Sequence, residues 1–181
     1  MINPAEEIVS IWLQDCRKHF VMSNLVVPKT TRLGVSGKKI GGGRGKEIDF
    51  LSTDGKGNYW WVEVSVSPNP RLPGGPEKSR KEIMENAINK FAEEKSQWIR
   101  DNFKIKDFGK WFVYSPKLFS FLSKKENEEE LYCAELRTHG IEPFSFATVL
   151  KEVYDGLNYL GYDSPRQYIF LLKKMGYKQG D

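Results

Sequence analysis

Apolar side chains recur at helical spacing from residue 4 to residue 19, where Ile8, Ile11, Trp12 and Cys16 share one face. Asn3 suits the cap and Pro4 the first turn, so a helix is predicted over 4–19. The period then shortens. FVMSNLVV (20–27) is a β-prone run, EIDFLS (47–52) reads as a strand, and YWWVEVSVS (59–67) has the aromatic and β-branched content of a central strand. Between the last two, TDGKGN (53–58) has the chemistry of a tight hairpin. The helical period returns over 77–102, where Ile83, Met84, Ala87, Ile88, Phe91, Trp98 and Ile99 form one stripe, and a single long helix is predicted. KWFVY (110–114) reads as a strand and 117–122 as a short helix or turn. Residues 126–138 read as a helix stopped by His139-Gly140, 141–146 as a strand, 147–160 as a helix and 164–175 as a last helix. Two stretches follow neither period: 28–45, rich in Gly, Lys and Thr, and the Pro/Gly-rich 68–76.

The resulting order is α-β-β-β-α-β-α-β-α. Three strands in a meander, then a crossover helix and a fourth strand, predict an α/β fold with a mixed β-sheet flanked by helices. A chain of 181 residues fits one domain, 1–181, with a core over about 4–115 and a C-terminal αβα extension over about 116–181.

Composition narrows the function. Hydrophobic residues make up 39% and charged residues 29%, which excludes a disordered chain, and no apolar run approaches the roughly 18 residues of a spanning helix. No membrane partner is expected. The acidic N-terminus lacks the pattern of a secretory signal. Two cysteines (Cys16, Cys133) and two histidines (His19, His139) argue against structural zinc and for a cytoplasmic location. The net charge of +4 is concentrated: Lys29, Arg32, Lys38, Lys39, Arg44 and Lys46 follow one another with no acid between them. Such a segment is either a solvated loop or a contact surface for phosphates. GGGRGK lacks the spacing of a nucleotide-binding P-loop and precedes a strand rather than a helix.

Two acids carry the chemistry. Asp49 interrupts the apolar IDFL and Glu63 sits between valines in WVEVSV. A carboxylate inside a sheet is costly unless it is paired or binds a cation. A short hairpin joins the two strands, so the carboxylates can approach one another, and their repulsion is offset by a divalent ion. Hard oxygen ligands favour Mg2+ or Mn2+. The competing reading pairs each acid with a basic side chain.

The run GRGKEIDFLSTDGKGNYWWVEVSVS resembles the core of the PD-(D/E)xK nuclease superfamily, which includes archaeal Holliday junction resolvases and many restriction endonucleases. The resemblance covers roughly residues 4–155. It implies a restriction endonuclease-like αβββαβ core, with Asp49 and Glu63 as the paired acids and the Val64 carbonyl as a further metal ligand. A helical acid is expected to join them, Glu7 in preference to Glu6, and Glu47 shares the strand face of Asp49. The implied activity is metal-dependent hydrolysis of phosphodiester bonds in double-stranded or branched DNA, restriction- or repair-related, by a possible homodimer. Lys38, Lys39, Gly42, Arg44 and Lys46 would meet neighbouring phosphates. The chain departs from the pattern at residue 65, where the motif lysine is replaced by Ser65. Either a lysine from the following helix takes its place, or catalysis is lost and a nucleic-acid-binding or protein-interaction module remains. Lys78, Arg80, Lys81, Lys90 and Lys95 are the helix candidates, with Lys90 preferred because it borders the apolar face.

Overall fold

The computed structural model describes residues 3–28, 32–33, 39–40, 45–66, 80–116, 127–157 and 164–175. Its order is α1 (Pro4–Ile11), β1 (Phe20–Val27), β2 (Arg32–Leu33), β3 (Lys39–Ile40), β4 (Lys46–Thr53), β5 (Tyr59–Ser65), α2 (Arg80–Lys90), α3 (Glu93–Phe103), β6 (Gly109–Tyr114), α4 (Glu128–Thr138), β7 (Ile141–Ser145), α5 (Phe146–Gly156) and α6 (Ser164–Lys174). A π-helical stretch, Trp12–Cys16, continues α1. The Asn3 carboxamide oxygen accepts from the Ala5 N–H and caps α1. The predicted features at 68–76 and 117–122, and most of the 28–45 segment, lie outside the described residues.

Five strands form one mixed sheet in the order β1-β4-β5-β6-β7, and β2 and β3 pair separately. β1, β4 and β5 are antiparallel, while β6 and β7 run parallel to β5. Helices cover both faces. On one, Leu51, Trp61 and Phe112 of the sheet join Met84, Phe91, Ile99, Tyr132 and Leu136. On the other, Phe50, Val62, Val64 and Val113 join Trp12, Leu13, Val149 and Val153. Burying a side chain of this size contributes about 1.5–3 kcal/mol, so each face anchors its own helical layer. Trp61 is fully buried, and Trp60 is stacked under His19, with ring centroids 4.4 Å apart.

The antiparallel half of the sheet turns over at one point. Residues two apart in a strand normally share a face. Yet Ile48 packs in the first core and Phe50 in the second. Across from them, Leu25 and Val27 join the first core while Val21 joins the second. Asn24 lies at the crossover with φ of 55°, a left-handed conformation that Asn tolerates better than most residues. The β1–β4 register passes from Ser23↔Phe50 to Leu25↔Ile48 on either side of it, which sets Asp49 at the pivot.

The entry into β4 is equally constrained. A Cβ at Gly45 would run into the Val27 carbonyl oxygen, a backbone atom with little freedom to give way. Gly45→Ala is expected to cost about 2 kcal/mol by overpacking. That corresponds to a midpoint about 4–8 °C lower in a thermal melt of a chain this size.

The long helix predicted over 77–102 is two helices. It breaks at Phe91-Ala92, where Ala92 takes extended φ/ψ of −58° and 142° as the residue preceding α3. Five residues of continuous helix turn the chain by about 140°. The break removes that constraint on residues 90 and 95.

Candidate active site

The β4–β5 register runs from Thr53↔Tyr59 to Phe50↔Val62. The pairing ends there, and Asp49 and Glu63 are the next residues on the two strands. Here Asp49 Oδ2 accepts the Val64 N–H at 2.7 Å, so a side chain satisfies a strand donor and the carboxylate is anchored against β5. The site therefore forms where β4 begins and β5 ends.

Lys90, the last residue of α2, reaches both acids. Its Nζ lies 3.7 Å from Asp49 Oδ2 and 3.5 Å from Glu63 Oε2, and it donates to the Val64 carbonyl at 3.0 Å. One ammonium thus sits against three oxygens. Ser65 ends β5, half-buried, at the position where the motif would have its lysine. Of the other helix candidates, Lys81 is exposed and 4.0 Å from Glu85, and the side chains of Lys78 and Arg80 lie outside the described residues.

Lys95 reaches the same acid from α3. Its side chain is only 7% exposed, that of Glu63 only 2%, and Nζ donates to Glu63 Oε1 at 2.9 Å. Trp61 Nε1 donates to the same oxygen at 2.8 Å. The indole also lies beneath the ammonium, 5.4 Å from ring centre to Nζ. Oε1 is therefore held twice, and Oε2 faces Lys90. Burial pushes the Glu63 carboxyl above its ordinary range, the Asp49 charge adds to the rise, and the two lysines oppose it. Sequence reasoning placed Lys95 among five candidate cations, behind Lys90, and gave Trp61 no part in the site. The signal for Lys95 was its place on the stripe between Phe91 and Ile99, where a charge needs a buried partner.

An acid of the N-terminal helix shares the electrostatic surroundings of Asp49. The Glu6 carboxyl is raised by burial, lowered by the hydrogen bond from Asn3 Nδ2 at 3.0 Å, and raised again by the nearby charges of Asp49 and Glu47, with Lys90 opposing. Glu6, the second choice from sequence, thus senses the Asp49–Lys90 cluster. Glu7 lines, together with Glu6, Ser10, Gln14, Asn24 and Arg166, an open cavity of about 280 Å3 between α1, β1 and α6.

The basic segment is described only in part. Lys38, Gly42 and Arg44 lie outside the described residues, and Lys39 is placed as backbone in β3. Lys46, at the start of β4, forms an ion pair with Glu94 of α3.

The donor set around Lys90 suits a hard cation: two carboxylate oxygens and a carbonyl oxygen already surround one positive charge. Among the described residues, no group of three or more His, Cys, Asp or Glu side chains converges as a metal cage. An ion here would rely on Asp49, Glu63 and a backbone oxygen. No helix among the described residues is long and apolar enough to cross a membrane. Comparison with family models, with curated proteins and with solved structures returns no match for this chain.

Proposed function

We propose that this protein is a Mg2+- or Mn2+-dependent DNA endonuclease of the PD-(D/E)xK type, hydrolysing phosphodiester bonds in double-stranded or branched DNA. The observation that carries the reading is the convergence of Asp49, Glu63, the Val64 carbonyl and the Lys90 ammonium at one end of the β4–β5 pair. The sequence lacks a lysine at residue 65, and Lys90 supplies a cation to the same acids from the following helix. This supports an enzyme over a binding module that has lost its catalytic lysine.

Asp49, Glu63 Oε2 and the Val64 carbonyl are the groups that would hold the ion. Bound there, it would acidify water and screen the charge of a phosphate. The chain's own residues do the rest. The Val64 N–H fixes Asp49, and Trp61 with Lys95 fixes Glu63, so neither carboxylate must reorganise when charge develops. Lys90 places a positive charge beside any anion that enters, and Ser65, at the end of β5, has a neutral hydroxyl where the motif has its lysine. Lys38, Lys39, Gly42, Arg44 and Lys46 extend the contact to flanking phosphates. A homodimer suits a two-fold substrate, and Tyr168, Leu171 and Leu172 of α6, with Met175 just after it, form an exposed apolar stripe for such an assembly. The expected compartment is the cytoplasm.

The test is incubation of the full chain with supercoiled, linear and four-way branched DNA, with Mg2+, Mn2+ or chelator. Ion-dependent cutting supports the reading. Salt-sensitive binding without cutting in any ion would leave a binding module, and no interaction with any DNA would remove nucleic acid from the account.

A further inference from the structure

We propose that the Lys90 ammonium is a built-in occupant of the cation position, which a divalent ion must displace in order to bind. This deepens the reading of the site as an ion-dependent nuclease and rests on it. An ammonium and a hard divalent ion ask for the same surroundings, several anionic or carbonyl oxygens facing one point. Lys90 Nζ has the Val64 carbonyl, Glu63 Oε2 and Asp49 Oδ2 at 3.0, 3.5 and 3.7 Å. These are the three groups assigned to the ion, so Lys90 and the ion exclude one another.

The two lysines differ in their freedom to leave. Lys95 is buried, shares Glu63 Oε1 with the Trp61 indole and lies over that ring. Lys90 is 33% exposed, closes the end of α2 and can swing its ammonium into water on a flexible stem. Displacement therefore removes one charge from the oxygens and leaves the other. Before the exchange, two carboxylates face two ammoniums. After it, Asp49 and Glu63 face an ion and Lys95, with the Lys90 ammonium free beside them.

Two measurements test this on the full chain. In the wild type, Lys90 acylation by an amine-reactive ester, read by peptide mass spectrometry, should rise several-fold as Mg2+ is added, while Lys95 stays protected. In Asp49→Asn the same titration should leave Lys90 unchanged. By calorimetry, Lys90→Met should bind Mn2+ about tenfold more tightly than the wild type, because a competing charge is gone. Circular dichroism checks that this variant is folded, and the labelling arm does not depend on it.

Asp49-dependent ion binding with Lys90 equally or better protected overturns the exchange and leaves the ion site standing. So does a folded Lys90→Met that binds Mn2+ no better than the wild type. If no variant binds either ion in an Asp49-dependent way, the site reading falls and the exchange falls with it.

Discussion

Lys95→Met should destabilise the fold by about 3 kcal/mol, because it leaves Glu63 buried with one of its two cationic partners gone. In a chain of this size that lowers the thermal midpoint by about 6–12 °C. Two features separate this from ordinary loss of packing. The first is recovery: Lys95→Met with Glu63→Gln removes charge from both sides, and the double variant should be more stable than Lys95→Met alone. The second is pH. The Glu63 carboxyl is already raised in the fold by burial and then by Asp49, and loss of Lys95 raises it further. A raised carboxyl favours the protonated form in the folded state. Stability is then fullest below the unfolded value of about 4 and is lost as pH rises through the folded value. The defect should be small near pH 4 and largest at neutral pH. A defect independent of pH would mean that Lys95 acts by its methylenes alone.

Asp49→Asn should abolish ion-dependent cleavage, with a loss on the order of 10³-fold in rate, the scale of removing a preorganised electrostatic partner. The amide is nearly isosteric, and its oxygen can still accept the Val64 N–H, so the strand ends remain joined. Thermal stability in chelator should change by no more than about 1 kcal/mol. A gel assay on plasmid DNA, run beside a melt of the same preparation, separates the two effects. Cleavage at the wild-type rate by the folded variant would remove Asp49 from the mechanism. Glu63→Gln is the less clean variant, because it also leaves Lys95 buried without a full counter-charge.

Much of this was legible from residue order, for identifiable reasons. The mixed sheet with helices on both faces followed from two periods, because strands 20–27, 47–52, 59–67 and 110–114 were each bounded by strong turn or helix signals. The two acids stood out because a charge amid apolar strand residues has few physical explanations. Lys90 was reachable by helical spacing once the resemblance called for a helix lysine, since it borders the apolar face beside Ala87 and Phe91.

Other features were not legible. Ala92-Glu93-Glu94 has good helix-forming composition, so nothing in it announces the break between α2 and α3. Without that break, residues 90 and 95 fall on different sides of one helix, and their convergence on Glu63 cannot be foreseen. The turnover at Asn24 was hidden for a similar reason: Asn tolerates both extended and left-handed backbone, so residue type alone does not announce the switch that puts Leu25 and Val21 in opposite cores. Glu6 and Glu7 are adjacent on one turn, and their relation to Asp49 depends on how α1 rolls against the sheet.

The pairing of two lysines with two carboxylates would also separate folding from the proposed ion uptake. Domains whose ligands repel one another without metal collapse only when the metal arrives, and chelators unfold them. Here Lys90 and Lys95 already neutralise the acids within the chain. A newly made molecule can therefore reach its final shape in a cell depleted of magnesium, and EDTA should silence it without melting it.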